Sequence, residues 1–183
     1  MGLVAAAYIS GNRTTSQPGV QASDFPGTSP PDGDSASGGQ GQAIGAIPCE
    51  SGEQLAAHTH AHLLILRDGF SQTVPQYVGI PGAPLLSKCI YWMHTHDRTG
   101  LIHVEAPRPQ TFTLGQFFDI WGQPLTATQV ALNPVGTGGL KAFVDGKAFA
   151  GDPRSIELKA HTQVVLEIGK QVTPPNFDFP AGT

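Results

Sequence analysis

A chain of 183 residues fits one ordinary domain with some tens of residues to spare. Charged residues make up only 13%, against an average of roughly 25%, and Gly (23) with Pro (16) fill roughly a fifth of the positions, which excludes a helical bundle or coiled coil and favours strands joined by turns. The formal net charge is -4 and no basic block exceeds a residue or two, so the concentrated positive surface that nucleic acid requires is missing.

The N-terminus carries an apolar run from Leu3 to Ile9 that is too short to span a bilayer and lacks a basic n-region. It reads either as a truncated export signal, which would make a membrane tether possible in the longer precursor, or as a plain terminus. From Gly11 to Ile47 the chain is rich in Gly, Ser, Pro, Asp and Gln and holds too little apolar surface to fold by itself. Residues 1–47 are therefore expected to be a flexible leader or tether, and 48–183 a single β-rich domain. Cys49 and Cys89 bracket the first group of histidines, and in an exported protein they would pair, closing a loop worth about 4 kcal/mol on the chain-entropy scale. The alternative is two buried free cysteines; the pairing is favoured because the leader and the low charge both fit an extracytoplasmic protein, periplasmic or membrane-tethered.

Strand-like alternation begins at His58. His58, His60, His62, Leu64 and Leu66 share one parity, and Thr59, Ala61, Leu63 and Ile65 share the other. Asp68-Gly69 signals a turn, followed by a second short strand from Thr73 to Ile80 and a break at Pro81-Gly82-Ala83-Pro84. Lys88 to His96 then turns through Asp97-Arg98-Thr99-Gly100 into Leu101 to Glu105. With Arg98 and Thr99 at the centre of the turn, His94 faces His103, His96 faces Leu101 and Trp92 faces Glu105. Facing residues stand about 5 Å apart at Cβ, near enough for His94 and His103 to share one ion. Met93, Ile102 and Val104 point to the opposite face.

Thr113 and Gln116 form a capping box for a helix of about two turns, whose apolar face is Leu114, Phe117, Phe118 and Trp121 and whose stop is Gly122 with Pro124. The stripe is read as core packing. Strand-like pieces follow at 140–144, 147–150, 156–160 and 164–168, and the last segment offers Phe177 and Phe179 for docking on the body. The expected fold is mainly β, an antiparallel sandwich or partly open barrel with one short helix. A β-grasp-like module is the alternative, because strand, short helix and returning hairpins recur in that order.

Five of the seven histidines fall in the two islands H58-T-H60-A-H62 and H94-T-H96, with His103 close behind. Imidazoles at i,i+2 on a strand can point at one centre, and neutral imidazole suits Cu, Zn or Fe. The expected metal ligands are His58, His60, His94, His96 and His103. His58 and His62 would lie about 13 Å apart on a regular strand, so one ion cannot take both; His62 is placed behind the ligands or in the core, with His58 and His60 or His60 and His62 as the competing pairs. Glu105 and Asp97 are candidates to orient an imidazole or manage a proton, although Asp97 also suits its turn as a side-chain acceptor. His161 is expected in a surface turn.

Three functions compete: a metal-binding protein, a hydrolytic or oxidative metalloenzyme using Glu105 or Asp97, and a metal-free interaction module. No nucleophile elbow, HExxH helix or phosphate loop specifies a reaction. The strings HTHAHL, YWMHTHDRTGLIHVE, FTLGQFFDIWGQPL, VDGK and GDPR together resemble a widespread set of bacterial proteins of unassigned role, often exported or lipid-anchored, over His58 to Pro180. That resemblance implies export and leaves the chemistry open. His94-x-His96 is similar to the cupin His pair only distantly, since the following Glu is replaced by the Thr99-Gly100 turn and the second cupin motif is missing.

Overall fold

The computed structural model describes residues 30–183; the apolar run Leu3–Ile9 lies outside them. In chain order the strands are β1 (Cys49–Glu50), β2 (Ala57–Arg67), β3 (Phe70–Gln72), β4 (Ile90–Tyr91), β5 (Met93–His94) and β6 (Leu101–Ala106). The helix α1 (Leu114–Trp121) follows, then β7 (Gln129–Val130), β8 (Asn133–Pro134), β9 (Leu140–Val144), β10 (Lys147–Phe149) and β11 (Gln163–Ile168). The fold is mainly β with one short α-helix, as composition and turn spacing anticipate.

The principal sheet runs β10-β9-β11-β2-β6-β5, with β3 also paired to β2. The eleven-residue β2 is long enough to serve several partners: its first half pairs with β6, its last three residues with β3, and its second half with β11. The β2–β11 pair is parallel, and every other strand pair is antiparallel. This parallel pair is the departure from an all-antiparallel expectation. It joins strands almost a hundred positions apart, so no local turn announces it.

Side-chain parity splits the sheet into two unlike faces. Ala61, Leu63 and Ile65 of β2, Ile102, Val104 and Ala106 of β6, and Val164, Leu166 and Ile168 of β11 enter the hydrophobic core with Met93. Leu114, Phe117, Phe118 and Trp121 of α1 belong to the same core and are at most 1% exposed, so the helical stripe is packing. Burial of each such side chain contributes about 1.5–3 kcal/mol. The helix starts and stops where the sequence indicates: Thr113 accepts from the Gln116 backbone N–H, the Gln116 side chain accepts from the Thr113 N–H, and Gly122 closes the helix at φ 71°. The opposite parity, with His58, His60, His62, His103 and Glu105, faces away from α1.

The hairpin register is the one expected, with His94 opposite His103 and Met93 opposite Val104, and the Glu105 N–H donates to the Trp92 carbonyl at 2.7 Å. The strand stops at His94, however, and Leu101 pairs with His62 of β2 instead of His96. Gly100 turns the chain at φ 84°, and a Cβ there would stand 2.2 Å from the Leu63 carbonyl oxygen, so only glycine fits.

Two expected strands are absent. The segment 73–80 is a buried loop, because Pro75 and the positive φ of Tyr77 (65°) and Gly79 (77°) interrupt any strand, while Val74 and Val78 still reach the core. Residues 156–160 alternate in burial, with Ile156 and Leu158 inside, yet they pair only through the bridge between Glu157 and Thr113. The folded unit also begins before Pro48. The Gly33 N–H donates to the Gln76 carbonyl, that of Gly39 to the Ile120 carbonyl, and Ile47 is buried in the core. A Cβ at Gly38 would stand 2.3 Å from the Ile120 carbonyl oxygen, and one at Gly39 2.4 Å from the Tyr91 ring. Here glycines that suggest a loose tether serve close backbone approach.

Candidate metal centre

The two histidine islands meet because β6 lies between their strands. His60 of β2 is the direct partner of His103, His58 is the partner of Glu105, and His94 of β5 pairs with His103 from the other side. Three imidazoles therefore form a row across three strands, with a second row of His58 and Glu105 beside it. The period-two alternation puts all of them on the face away from the core.

The side chains converge closely. His58 Nε2 lies 3.2 Å from His60 Nε2, which lies 3.2 Å from His103 Nδ1; Glu105 Oε1 lies 3.3 Å from His58 Nε2 and 3.5 Å from His103 Nδ1. A four-coordinate ion with bonds of about 2.0–2.1 Å holds neighbouring donors about 3.3 Å apart, so these four separations fit ligands gathered round one cation. Hydrogen bonds alone serve the group poorly. His60 Nε2 faces two imidazole nitrogens, and one ring nitrogen is either a donor or an acceptor.

His94 is fully buried. Its Nδ1 lies 3.0 Å from the Tyr91 carbonyl oxygen, and because a carbonyl only accepts, Nδ1 carries the proton. Nε2 then has a bare lone pair, lies 4.0 Å from Glu105 Oε1, and has no hydrogen-bond partner among the described residues. A carbonyl that fixes the tautomer and aims the other nitrogen is the usual support of a metal-bound histidine. Tyr91 is itself held: its hydroxyl donates to the Gln42 carbonyl at 2.5 Å and accepts from the Gly41 N–H at 3.1 Å, while its backbone pairs with Cys49. The Cys49–Cys89 disulfide closes beside that strand pair. The glycine-rich segment and the disulfide thus back the carbonyl that orients His94.

Electrostatics keep three of the imidazoles, His60, His94 and His103, uncharged. Burial pushes His94 down to about 3; burial and the neighbouring imidazoles push His103 down to about 4; and His60 is lowered for the same reasons. Burial, with a smaller push from Glu53, raises Glu105 to about 7, and Glu105 Oε2 has no partner among the described residues. Neutral imidazole is the metal-binding form, so burial here prepares ligands at neutral pH.

His58, His60, His94, His96, His103 and Glu105 are all brought together. Two triads, His58–His60–His103 and His94–His96–His103, each present ligand atoms within 4.8 Å of one another. His62 stands apart from them: its Nε2 donates to the Thr99 carbonyl at 3.0 Å and its ring stacks on Phe177 with centroids 3.6 Å apart. Of the competing pairs on β2, it is His58 with His60 that converges. Asp97 does not reach the cluster either, since its Oδ1 accepts from the Thr99 N–H at 2.8 Å and is spent on the turn. His161 is exposed in a turn at φ 59° and contacts Phe179 and the Thr183 carbonyl.

Glu53 is the member that sequence reading missed. It forms a third triad with His94 and Glu105, and its Oε1 lies 3.4 Å from His96 Nε2. It sits in the loop between β1 and β2, with no periodic pattern of its own, and its proximity follows from the disulfide and the β1–β4 pairing. The chain matches no protein-family model, no curated protein and no solved structure.

Proposed function

We propose that this is an extracytoplasmic protein that binds a transition metal ion, Cu, Zn or Fe, through its strand-borne histidines. The observation that carries this reading is the bare, buried Nε2 of His94, aimed at a cluster of imidazoles and a carboxylate with its tautomer set by the Tyr91 carbonyl. Burying such an acceptor without a partner costs about 1–3 kcal/mol, and a cation at the cluster would offset that cost. Imidazole affinity places copper slightly ahead, while the neutral nitrogen set also suits zinc and iron(II). The disulfide fits an oxidising compartment, and the resemblance to exported bacterial proteins agrees with it.

A metalloenzyme is the second reading, favoured by Glu105. Its carboxyl is raised to about 7 and its Oε2 is free of partners, which suits a group that holds or passes a proton near neutral pH. The part-exposed His58 and His96, 39% and 43% accessible at the side chain, leave the cluster approachable from solvent. In both readings the protein's own contribution is the same: it positions neutral nitrogens, excludes water from His94 and keeps Glu105 at the centre.

The test is calorimetric titration of chelator-treated protein with Cu(II) and Zn(II). Wild type should bind tightly, and His94→Ala and His103→Ala should each lose about tenfold or more in affinity. Unchanged affinity in both variants would overturn this ligand assignment. Full folding with no binding of either metal, and of Fe(II) under anaerobic conditions, would overturn the function and favour a metal-free interaction module.

A further inference from the structure

The cluster holds more donors than one ion can use. First-row ions bound by imidazole and carboxylate take about four to six ligands, and seven residues converge here. They also do not surround a single point. One group is His58, His60 and His103 with Glu105 Oε1, at separations of 3.2–3.5 Å. The other centres on His94, which belongs to one triad with His96 and His103 and to another with Glu53 and Glu105.

Two residues are common to both sides. The His103 ring lies between the groups, with centroids 4.5 Å from His60, 4.6 Å from His96 and 5.2 Å from His94, and as a neutral imidazole it offers its one lone pair to a single ion. Glu105 has two oxygens. Oε1 stands among His58, His103 and His94, while Oε2 is buried and has no hydrogen-bond partner. A shared carboxylate is how two-metal sites hold cations about 3.5–4 Å apart.

Resting on the metal-binding reading above, we propose that the protein carries a two-ion centre. The first divalent ion is bound by His58, His60 and His103, the second by His94, His96 and Glu53, and Glu105 lies between them. One ion would leave either the first group or the bare His94 Nε2 without a cation.

Native mass spectrometry of the full chain titrated with Zn(II) counts the ions directly. Wild type should saturate at two. His58→Ala and His96→Ala remove part-exposed side chains on opposite sides of the cluster, so the core is untouched, and each should saturate at one. Saturation of wild type at a single ion overturns the two-ion centre while leaving metal binding intact, whereas saturation at zero overturns both. With Cu(II), spin resonance should show coupled or broadened signals in wild type and an ordinary isolated-copper signal in both variants. An isolated-copper signal from wild type holding two ions would also contradict the proposal, because it would place the ions far apart.

Discussion

The two faces of one sheet close in opposite ways. On one side of β2 and β6, Ala61, Leu63, Ile65, Ile102 and Val104 meet α1 with apolar atoms throughout. On the other side, from alternate residues of the same strands and of β5, His60, His94 and Glu105 are equally buried, yet His94 Nε2 and Glu105 Oε2 have no partner among the described residues. Burial that satisfies every group builds stability, and burial that leaves a lone pair bare is a cost that calls for an ion, a ligand or an ordered water.

That contrast can be broken from either side. The largest stability effect belongs to the core: Phe117→Ala should cost about 3–5 kcal/mol in chemical denaturation, while molecules that remain folded keep wild-type metal affinity. On the polar face the effects reverse. His94→Leu should lower metal affinity about tenfold or more, yet leave metal-free stability at neutral pH within about 1 kcal/mol of wild type. The lost donor to the Tyr91 carbonyl offsets the relief of the bare Nε2.

Acid should separate the same two proteins. His94 titrates near 3 when folded against about 6.5 when unfolded, so the unfolded chain takes up the proton first as pH falls. Its contribution is intact above about 6.5 and is lost progressively as pH falls through about 3. Metal-free wild type should therefore lose about 1.6 kcal/mol relative to His94→Leu between pH 6.5 and pH 5, by urea denaturation at each pH. Comparing the two proteins isolates His94 from Glu105. That carboxyl, raised to about 7, has the opposite sign: its contribution is full below the unfolded value near 4.5 and disappears as pH rises through about 7. An unchanged gap between the two proteins would mean that His94 is not buried as a neutral ring. The smallest effect lies at the helix start, where Thr113→Ala should cost about 1 kcal/mol by loss of the cap, with metal binding untouched.

What is legible in the sequence is local. The parity of β2, the pairing of His94 with His103 and the Thr113–Gln116 capping box each depend on spacings of a few residues, and each is present. The pairing of β2 with β6, which brings His60 onto His103 and His58 onto Glu105, joins residues more than forty positions apart and has no turn to announce it. Glu53 and the carbonyl of Tyr91 were hidden for the same reason, since a disulfide and a glycine-rich segment far away in sequence place them. Low apolar content at 33–47 suggested a tether, but there the glycines allow backbone to lie on backbone, which composition does not distinguish from looseness.

The most direct measurement is a crystal structure of metal-saturated protein with anomalous diffraction recorded at the absorption edge of the bound metal. Anomalous peaks are expected about 2.0–2.2 Å from the ligand atoms, one against His58, His60 and His103 and one against His94 Nε2. Saturated crystals with no peak at these nitrogens, and imidazoles still bonded only to one another, would contradict metal binding at this cluster.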